Sequence, residues 1–293
     1  MYDMAMNQTN SAIDALPTQE RTPFRVIEPP TRFRPIAEIK DIWRHRELLY
    51  LLAWRDYKVR YRQTVIGLAW AIFQPILATI AFVLVFGRLK GITDGAVPYS
   101  LFVFSGMVIW QFFANSVTGS SQSLVASSQM ITKIYFPRII IPLAKIGTQI
   151  IDLIPSFIIL LILMIYLKVF PTFLGILYVI PLILILAIIS ASIGIILSAI
   201  NVKYRDVQFV VPFFIQLGLF LSPVIYSATN LGKYSKLLVL NPITGIIESF
   251  RSVLFGSTFP VQSFAISCLF AILLAIISLY YFIKSEGAFS DVI

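Results

Sequence analysis

Lys145, Gln149, Asp152 and Ser156 recur at offsets of 0, 4, 7 and 11. On a helix this spacing puts an amine, an amide, a carboxylate and a hydroxyl on one face. Such a set inside an apolar segment is the raw material of a proton relay. A relay needs several titratable partners, and here one carboxylate stands alone. The stripe therefore reads as a face packed against neighbouring helices, with Lys145 reaching toward the membrane surface. Glu248 and Arg251, three residues apart, read as a structural pair on a short helix. His45 and Cys268 are the sole residues of their types. No metal set, intramolecular disulfide or nucleophile–base pair can be built from them. The sequence has no GxxxxGK[ST] phosphate loop, GxSxG elbow, HExxH or CxxC. Any energy from ATP has to come from another subunit.

The elements that position these residues follow from composition. The 293 residues are 58% hydrophobic and 13% charged, with a mean hydropathy of +0.86. A soluble domain carries about 25% charged residues. So little polar surface requires lipid as part of the solvent, and the fold class expected is all-α integral membrane. Crossing roughly 30 Å of hydrocarbon takes about 20 apolar residues in a helix. Six segments qualify: 65–86, 99–118, 139–167, 173–200, 207–226 and 264–283. Residues 1–34 are polar and proline-bearing, lack the apolar core of a signal peptide, and read as a mobile cytoplasmic tail.

Eleven of the 23 Lys and Arg lie between Arg21 and Arg62. With both termini in the cytoplasm, 17 basic residues fall inside and six outside. This is the bias that sets membrane orientation. It points to a lipid surface and not to nucleic acid.

Three connections carry structure of their own. Residues 35–64 place Ile39, Trp43, Tyr50, Trp54, Tyr57 and Tyr61 on one helical face. Basic residues including Arg44, Arg55, Lys58 and Arg62 lie on another. The pattern predicts an amphipathic helix in the headgroup plane. Inside, 119–136 carries Leu124, Val125, Met130 and Ile131 at near-helical spacing and predicts a short loop helix ended by Pro137. Outside, 227–262 contains two apolar stretches too short to span, with Asn241-Pro242 between them, and predicts re-entrant helices.

The chain resembles the membrane subunit of type-2 ABC exporters for bacterial cell-surface polysaccharides such as O-antigen, capsule and teichoic acid. Matching blocks run from about residue 34 to the end. They include "LAWRDYKVRYRQTVIGLAWAIFQP" (52–75), "PYSLFVFSGMVIWQFFANSV" (98–117), "ITKIYFPR" (131–138), "NVKYRDV" (201–207), "LSPVIY" (221–226) and "LNPITGIIESFR" (240–251). The resemblance implies a channel made with a second copy of the chain, and two separate ATP-binding subunits that hold ATP and Mg. It implies no cofactor and no catalytic residue in this chain. The cargo would be a lipid-linked polysaccharide, moved outward across the bacterial inner membrane.

The same resemblance implies roles for residues. Ser121, Leu124, Val125, Met130, Ile131, Lys133, Tyr135 and Arg138 would form the coupling segment that docks on the ATPase, with Lys203 and Arg205 as a second contact. Trp43, Arg44, Trp54, Arg55, Lys58, Arg60 and Arg62 would form the interface helix. Phe73, Phe102, Trp110, Phe113, Phe213, Phe220 and Tyr226 are candidates for glycan contact along the path. Asn241, Pro242, Glu248 and Arg251 would belong to an outer gate. A permease for a small drug or lipid, an ion-coupled transporter and a membrane glycosyltransferase are the competing readings. Dispersed acids oppose the last two.

Overall fold

Long apolar runs with few internal polar demands fold as helices because the helix satisfies its own backbone in lipid. The computed structural model describes residues 35–62, 69–87, 97–131, 136–171, 173–228, 238–287 and 289, and these are helical with no strand. In chain order the helices are α1 (Pro35–Arg44), α2 (Arg46–Arg62), α3 (Ala69–Phe86), α4 (Tyr99–Ala126), α5 (Ser128–Ile131), α6 (Ile140–Tyr166), α7 (Phe173–Lys203), α8 (Val207–Leu221), α9 (Pro242–Phe255) and α10 (Val261–Glu286). Among the described residues, α4, α6, α7 and α10 are long and apolar enough to cross a membrane. Ile72–Phe86 of α3 and Val207–Leu221 of α8 are shorter apolar helices. The expected tail, 1–34, lies outside the described residues.

Helix α4 is the axis of the bundle, and its residues 101–110 are all buried. It packs on α3, α6, α7, α8 and α9. Close approach rests on small residues, as is usual between membrane helices. A Cβ on Gly194 of α7 would collide with the Ser120 side chain of α4. Buried serines return their hydroxyls to carbonyls of their own helix. Ser105 donates to Phe102 at 2.8 Å, Ser123 to Ser120 at 2.7 Å and Ser190 to Leu186 at 2.8 Å. This satisfies each hydroxyl without a distant partner.

The helix ends sort into two sets. One core cluster joins Leu124, Ile131, Phe136, Ile139, Ile195, Val202 and Phe282. It ties the C-termini of α4, α7 and α10 to the N-terminus of α6, and this end is called the lower end. The upper end holds the N-termini of α4 and α10, the C-terminus of α8 and all of α9.

Three elements differ from expectation, the first being the span expected over 207–226, whose helix α8 stops at Leu221. The loop helix expected to begin at residue 119 is continuous with α4, which runs to Ala126 before a break and the four residues of α5. The helix expected over 35–64 is two helices, separated at His45. Its N–H bonds to the Asp41 and Ile42 carbonyls, and its ring Nδ1–H to the Asp41 carbonyl at 2.8 Å.

Candidate functional site

At the lower end α2 lies along α6. Leu52 and Ala53 are buried against Ile140 and Ala144. Ala53 meets Gly147 closely, and Arg60 and Tyr61 meet Asp152, so the two helices advance in the same direction. The polar stripe of α6 is the seam. Lys145 Nζ lies 2.7 Å from Asp56 Oδ2, and Arg60 Nη1 lies 2.6 Å from Asp152 Oδ2. The Tyr61 hydroxyl donates to Asp152 Oδ1 at 2.6 Å. Gln149, with its amide oxygen toward Arg60, accepts from both terminal guanidinium nitrogens at 3.0 and 3.1 Å. Lys145 and Asp152 are thus countered by side chains of α2.

Burial works to raise the Asp56 pKa, but Lys145 and Arg55 outweigh it and hold the carboxyl below its ordinary 3.8. Burial and Asp152 both push the Tyr61 phenol upward, so it stays protonated and donates. A carboxylate with a lowered folded pKa stabilises the fold above the unfolded value and loses that contribution as pH falls through the folded one. The Asp56–Lys145 contact of the seam is predicted to persist between about pH 8 and 5 and to be lost below about 4. Hydrogen exchange of the α2 amides over that range reads the change.

The rings of α2 form a ladder. Tyr50 and Trp54 stack at 6.3 Å, Trp54 and Tyr57 at 5.5 Å, and Tyr57 meets Tyr61 edge-on at 4.9 Å. Trp43 and Trp54 are exposed, and each has a cation over its ring, Arg46 and Lys58 respectively. Arg44 and Arg62 are also exposed. Arg55 and Arg60 are exposed in part but paired with Asp56 and Asp152.

The candidate coupling residues divide. Ser121, Leu124 and Ile131 point inward and are buried, and Val125 and Met130 are half-buried. Asn201 donates to the Ser121 carbonyl at 2.9 Å and binds the end of α7 to that of α4. Arg138 donates to the Glu286 carbonyl at 3.0 Å and so ties α6 to α10. Lys133 and Tyr135 lie outside the described residues. The open part of this end is Lys203 and Arg205, with Tyr204 and Asp206 beside them and Gln122, Ala126 and Gln129 on the outer face of α4 and α5.

Of the candidate path aromatics, Phe73, Phe213 and Phe220 are exposed, Tyr226 is half-buried, and Phe102, Trp110 and Phe113 are buried. Trp110 and Phe113 line an apolar cavity of about 520 Å³ bounded by α4, α7 and α8, with Phe214, Gly218 and Asn241 also on its wall. Gly218 lets the Trp110 indole lie against α8, where a Cβ would come within 2.9 Å of it.

At the upper end α9 is well formed. The Asn241 side chain caps it by accepting from the Ile243 N–H at 3.0 Å, Pro242 occupies the first turn, and Gly256 ends it with φ 73°. These are favoured helix-end residues. At 14 residues α9 is about 21 Å long, too short to cross. Glu248 is half-buried. Arg251 is buried, and its hydrogen bonds go to the Phe102, Pro223 and Val224 carbonyls at 3.0, 2.6 and 2.7 Å and to the Ser105 hydroxyl at 3.4 Å. Its guanidinium carbon lies 3.5 Å from the centroid of the Phe102 ring. The expected pairing of Arg251 with Glu248 is therefore secondary to its capture of carbonyls.

Sequence reasoning passed over Tyr99, Ser105 and Gly106 at the upper end, and Asp56 and Tyr61 as partners of α6. Asp56 carried a usable signal, since it is the one acid in a basic run. Among the described residues no His, Cys, Asp and Glu group is placed to hold a metal.

A bundle of apolar helices, four of them among the described residues long enough to cross a bilayer, with buried charges spent on helix–helix contacts, has the character of an integral membrane domain. Residues 47–255 match the ABC-2 type transporter family, and the chain belongs to it. It is similar to two O-antigen export system permease proteins (RfbA) of Klebsiella pneumoniae. One is 31% identical over 253 residues and the other 28% over 250, each alignment covering 84% of this chain and 95% of the relative. The RfbA permease of Myxococcus xanthus is 27% identical over 228 residues, 77% of this chain and 86% of its own.

Proposed function

We propose that this chain is the channel-forming membrane subunit of an ATP-driven exporter. It moves a lipid-linked polysaccharide of O-antigen type from the cytoplasmic to the periplasmic side of the bacterial inner membrane. The observation that carries this is the likeness to O-antigen export permeases over nearly their full length. The bundle suits such a cargo. Its exposed α3 and α8 faces present Phe73, Phe213 and Phe220 without charge, and aromatic faces can contact sugar rings without holding them by charge.

In this reading α3, α4, α6, α7, α8 and α10 make six spans. At 18 residues α3 is about 27 Å long, close to the hydrocarbon thickness. The shorter α8 reaches the surface through the segment that follows it, and α9 enters from the outer side and returns. Arg138, Lys203, Arg205 and Lys284 share the lower end with α2, and this basic bias supports reading that end as the cytoplasmic one, with both termini on that side. Two copies form the path, and two ATP-binding subunits, carrying the ATP and Mg, dock below them.

The docking surface is the exposed one. Leu124 and Ile131 belong to the core, so excising 119–135 would damage the bundle itself. Reversing two exposed charges is the cleaner test. Lys203→Glu with Arg205→Glu should cut co-purification of the cognate ATP-binding subunit at least roughly tenfold while the permease stays folded. Undiminished co-purification would move the docking site elsewhere.

A further inference from the structure

At the lower end, α10 and the run that leads into α6 meet by two reciprocal contacts. The last carbonyls of a helix have no helical partner, and a cation is favoured beside them. At the end of α10 the Glu286 carbonyl accepts from Arg138 Nη1 at 3.0 Å. The start of a helix favours an anion for the same reason. Just ahead of α6, the Arg138 N–H donates to Glu286 Oε1 at 3.4 Å. The two residues are 148 positions apart in the chain, so no helical periodicity prescribes their meeting.

An apolar contact backs the polar ones. Phe289, just beyond α10, is buried and meets Phe282 edge-on at 5.5 Å. Both rings share a core cluster with Ile131, Phe136 and Ile139. Between Phe136 and Arg138 stands Pro137, whose ring fixes φ and stiffens the run. The end of α10 therefore grips this run on both sides of a proline. Helices α4 and α6 flank the run in the chain, but α10 does not, and its main packing partners are α7 and α9. The four residues Phe136, Arg138, Glu286 and Phe289 supply the missing tie.

We propose that Glu286 and Phe289 are positioning residues for the coupling segment. They clasp its Phe136–Arg138 run, so that a displacement imposed there by the ATP-binding subunit also moves the end of α10. The proposal rests on the export reading, because the subunit that imposes the displacement belongs to it. Energetic coupling between elements is carried by packed side chains and hydrogen bonds that join them, and the clasp has both. Phe289 is buried and Glu286 half-buried, so neither needs to touch the partner subunit. The exposed Lys203 and Arg205 remain the docking contact, and the clasp acts behind it.

The test uses the complete complex of permease and ATP-binding subunit in lipid nanodiscs, with and without a non-hydrolysable ATP analogue. Amide hydrogen exchange is read at Arg138–Ile141 and in the last turn of α10, Ile283–Glu286. In the wild type the analogue should change exchange at both places. In Phe289→Ala and in Glu286→Ala the change at Arg138–Ile141 should remain, and that at α10 should shrink at least roughly threefold, the scale of coupling carried by single side chains. Phe289→Leu, which keeps an apolar side chain there, should retain most of it. A merely structural role would raise exchange alike in both states and leave the difference between them intact. Should Phe289→Ala not assemble, Glu286→Ala carries the test, since it gives up a single side-chain contact. A wild type whose α10 does not respond, or an assembled alanine variant whose α10 responds as the wild type does, would overturn the proposal. Glycan transfer by the wild-type complex with ATP reports separately on the export reading.

Discussion

Gly245→Val should yield no monodisperse permease. Gly245 is buried on α9 where it crosses α10, and a Cβ there would overlap the Ser263 carbonyl and the Ser267 hydroxyl. The Ser263 carbonyl is backbone and cannot rotate away. The Ser267 hydroxyl is committed to the Pro242 carbonyl at 2.6 Å and to Ser263 at 3.0 Å. Relief requires α9 to lift from α10. Ile246, Ile247 and Phe250, each with no exposed surface, would then lose their packing. Overpacking of this kind costs about 3 kcal/mol or more when backbone has to move. The same displacement would pull Arg251 from segment 222–226. Size-exclusion chromatography and thermal unfolding in detergent read the result. Gly245→Ala should be intermediate, and a wild-type melting profile for the valine variant would show that α9 does not sit on α10 as described.

The second large effect is expected at the α2–α6 seam. Asp152→Lys replaces a nearly buried carboxylate with an amine facing Arg60, which lay 2.6 Å from the lost oxygen. It also removes the acceptor of the Tyr61 hydroxyl. Breaking a buried ion pair costs about 3–5 kcal/mol. Arg60 is substantially exposed and screened, so about 2 kcal/mol is the better expectation here. Adding Arg60→Glu should restore most of the loss, because the pair is then reversed and not removed. Protease sensitivity of α2 and thermal stability would report both steps. An equal loss in the single and double variants would mean that the ion pair does not hold α2 in place.

Much of the architecture was legible because a continuous apolar run bounded by charge needs no tertiary information. The expected segments 139–167, 173–200 and 264–283 correspond to α6, α7 and α10 within a few residues. The run starting at Tyr99 was legible too, but its end was not. "GSSQS" looks like a loop by composition. In a tight bundle those serines serve the packing: Ser121 and Ser123 return hydroxyls to their own turn, Ser120 donates to the Pro142 carbonyl of α6, and Gly194 can approach Ser120. At α8 the expected end, residue 226, overshot, because Pro223 disfavours helix at the residue before it.

The site was legible in its parts and not in its assembly. Spacing put Lys145, Gln149 and Asp152 on one face, but periodicity cannot say which element covers that face. Their partners Asp56, Arg60 and Tyr61 are about 90 residues away in the chain. Arg251 looked like a local partner for Glu248 because helical spacing reveals neighbours at three and four residues. Its principal acceptors are carbonyls 27, 28 and 149 residues distant. A carbonyl is present at every residue, so the sequence carries no mark of which ones will be left open.

The central claim is that this chain conducts a lipid-linked glycan and draws its energy from a separate ATP-binding subunit. It is tested most directly by reconstituting the chain with and without that subunit in vesicles bearing the lipid-linked polysaccharide, and following the glycan across the membrane. The account predicts transfer only when the subunit and hydrolysable ATP are both present, with no effect of collapsing the proton gradient. Transfer by this chain alone, or transfer that persists without ATP and stops when the gradient is collapsed, would contradict it.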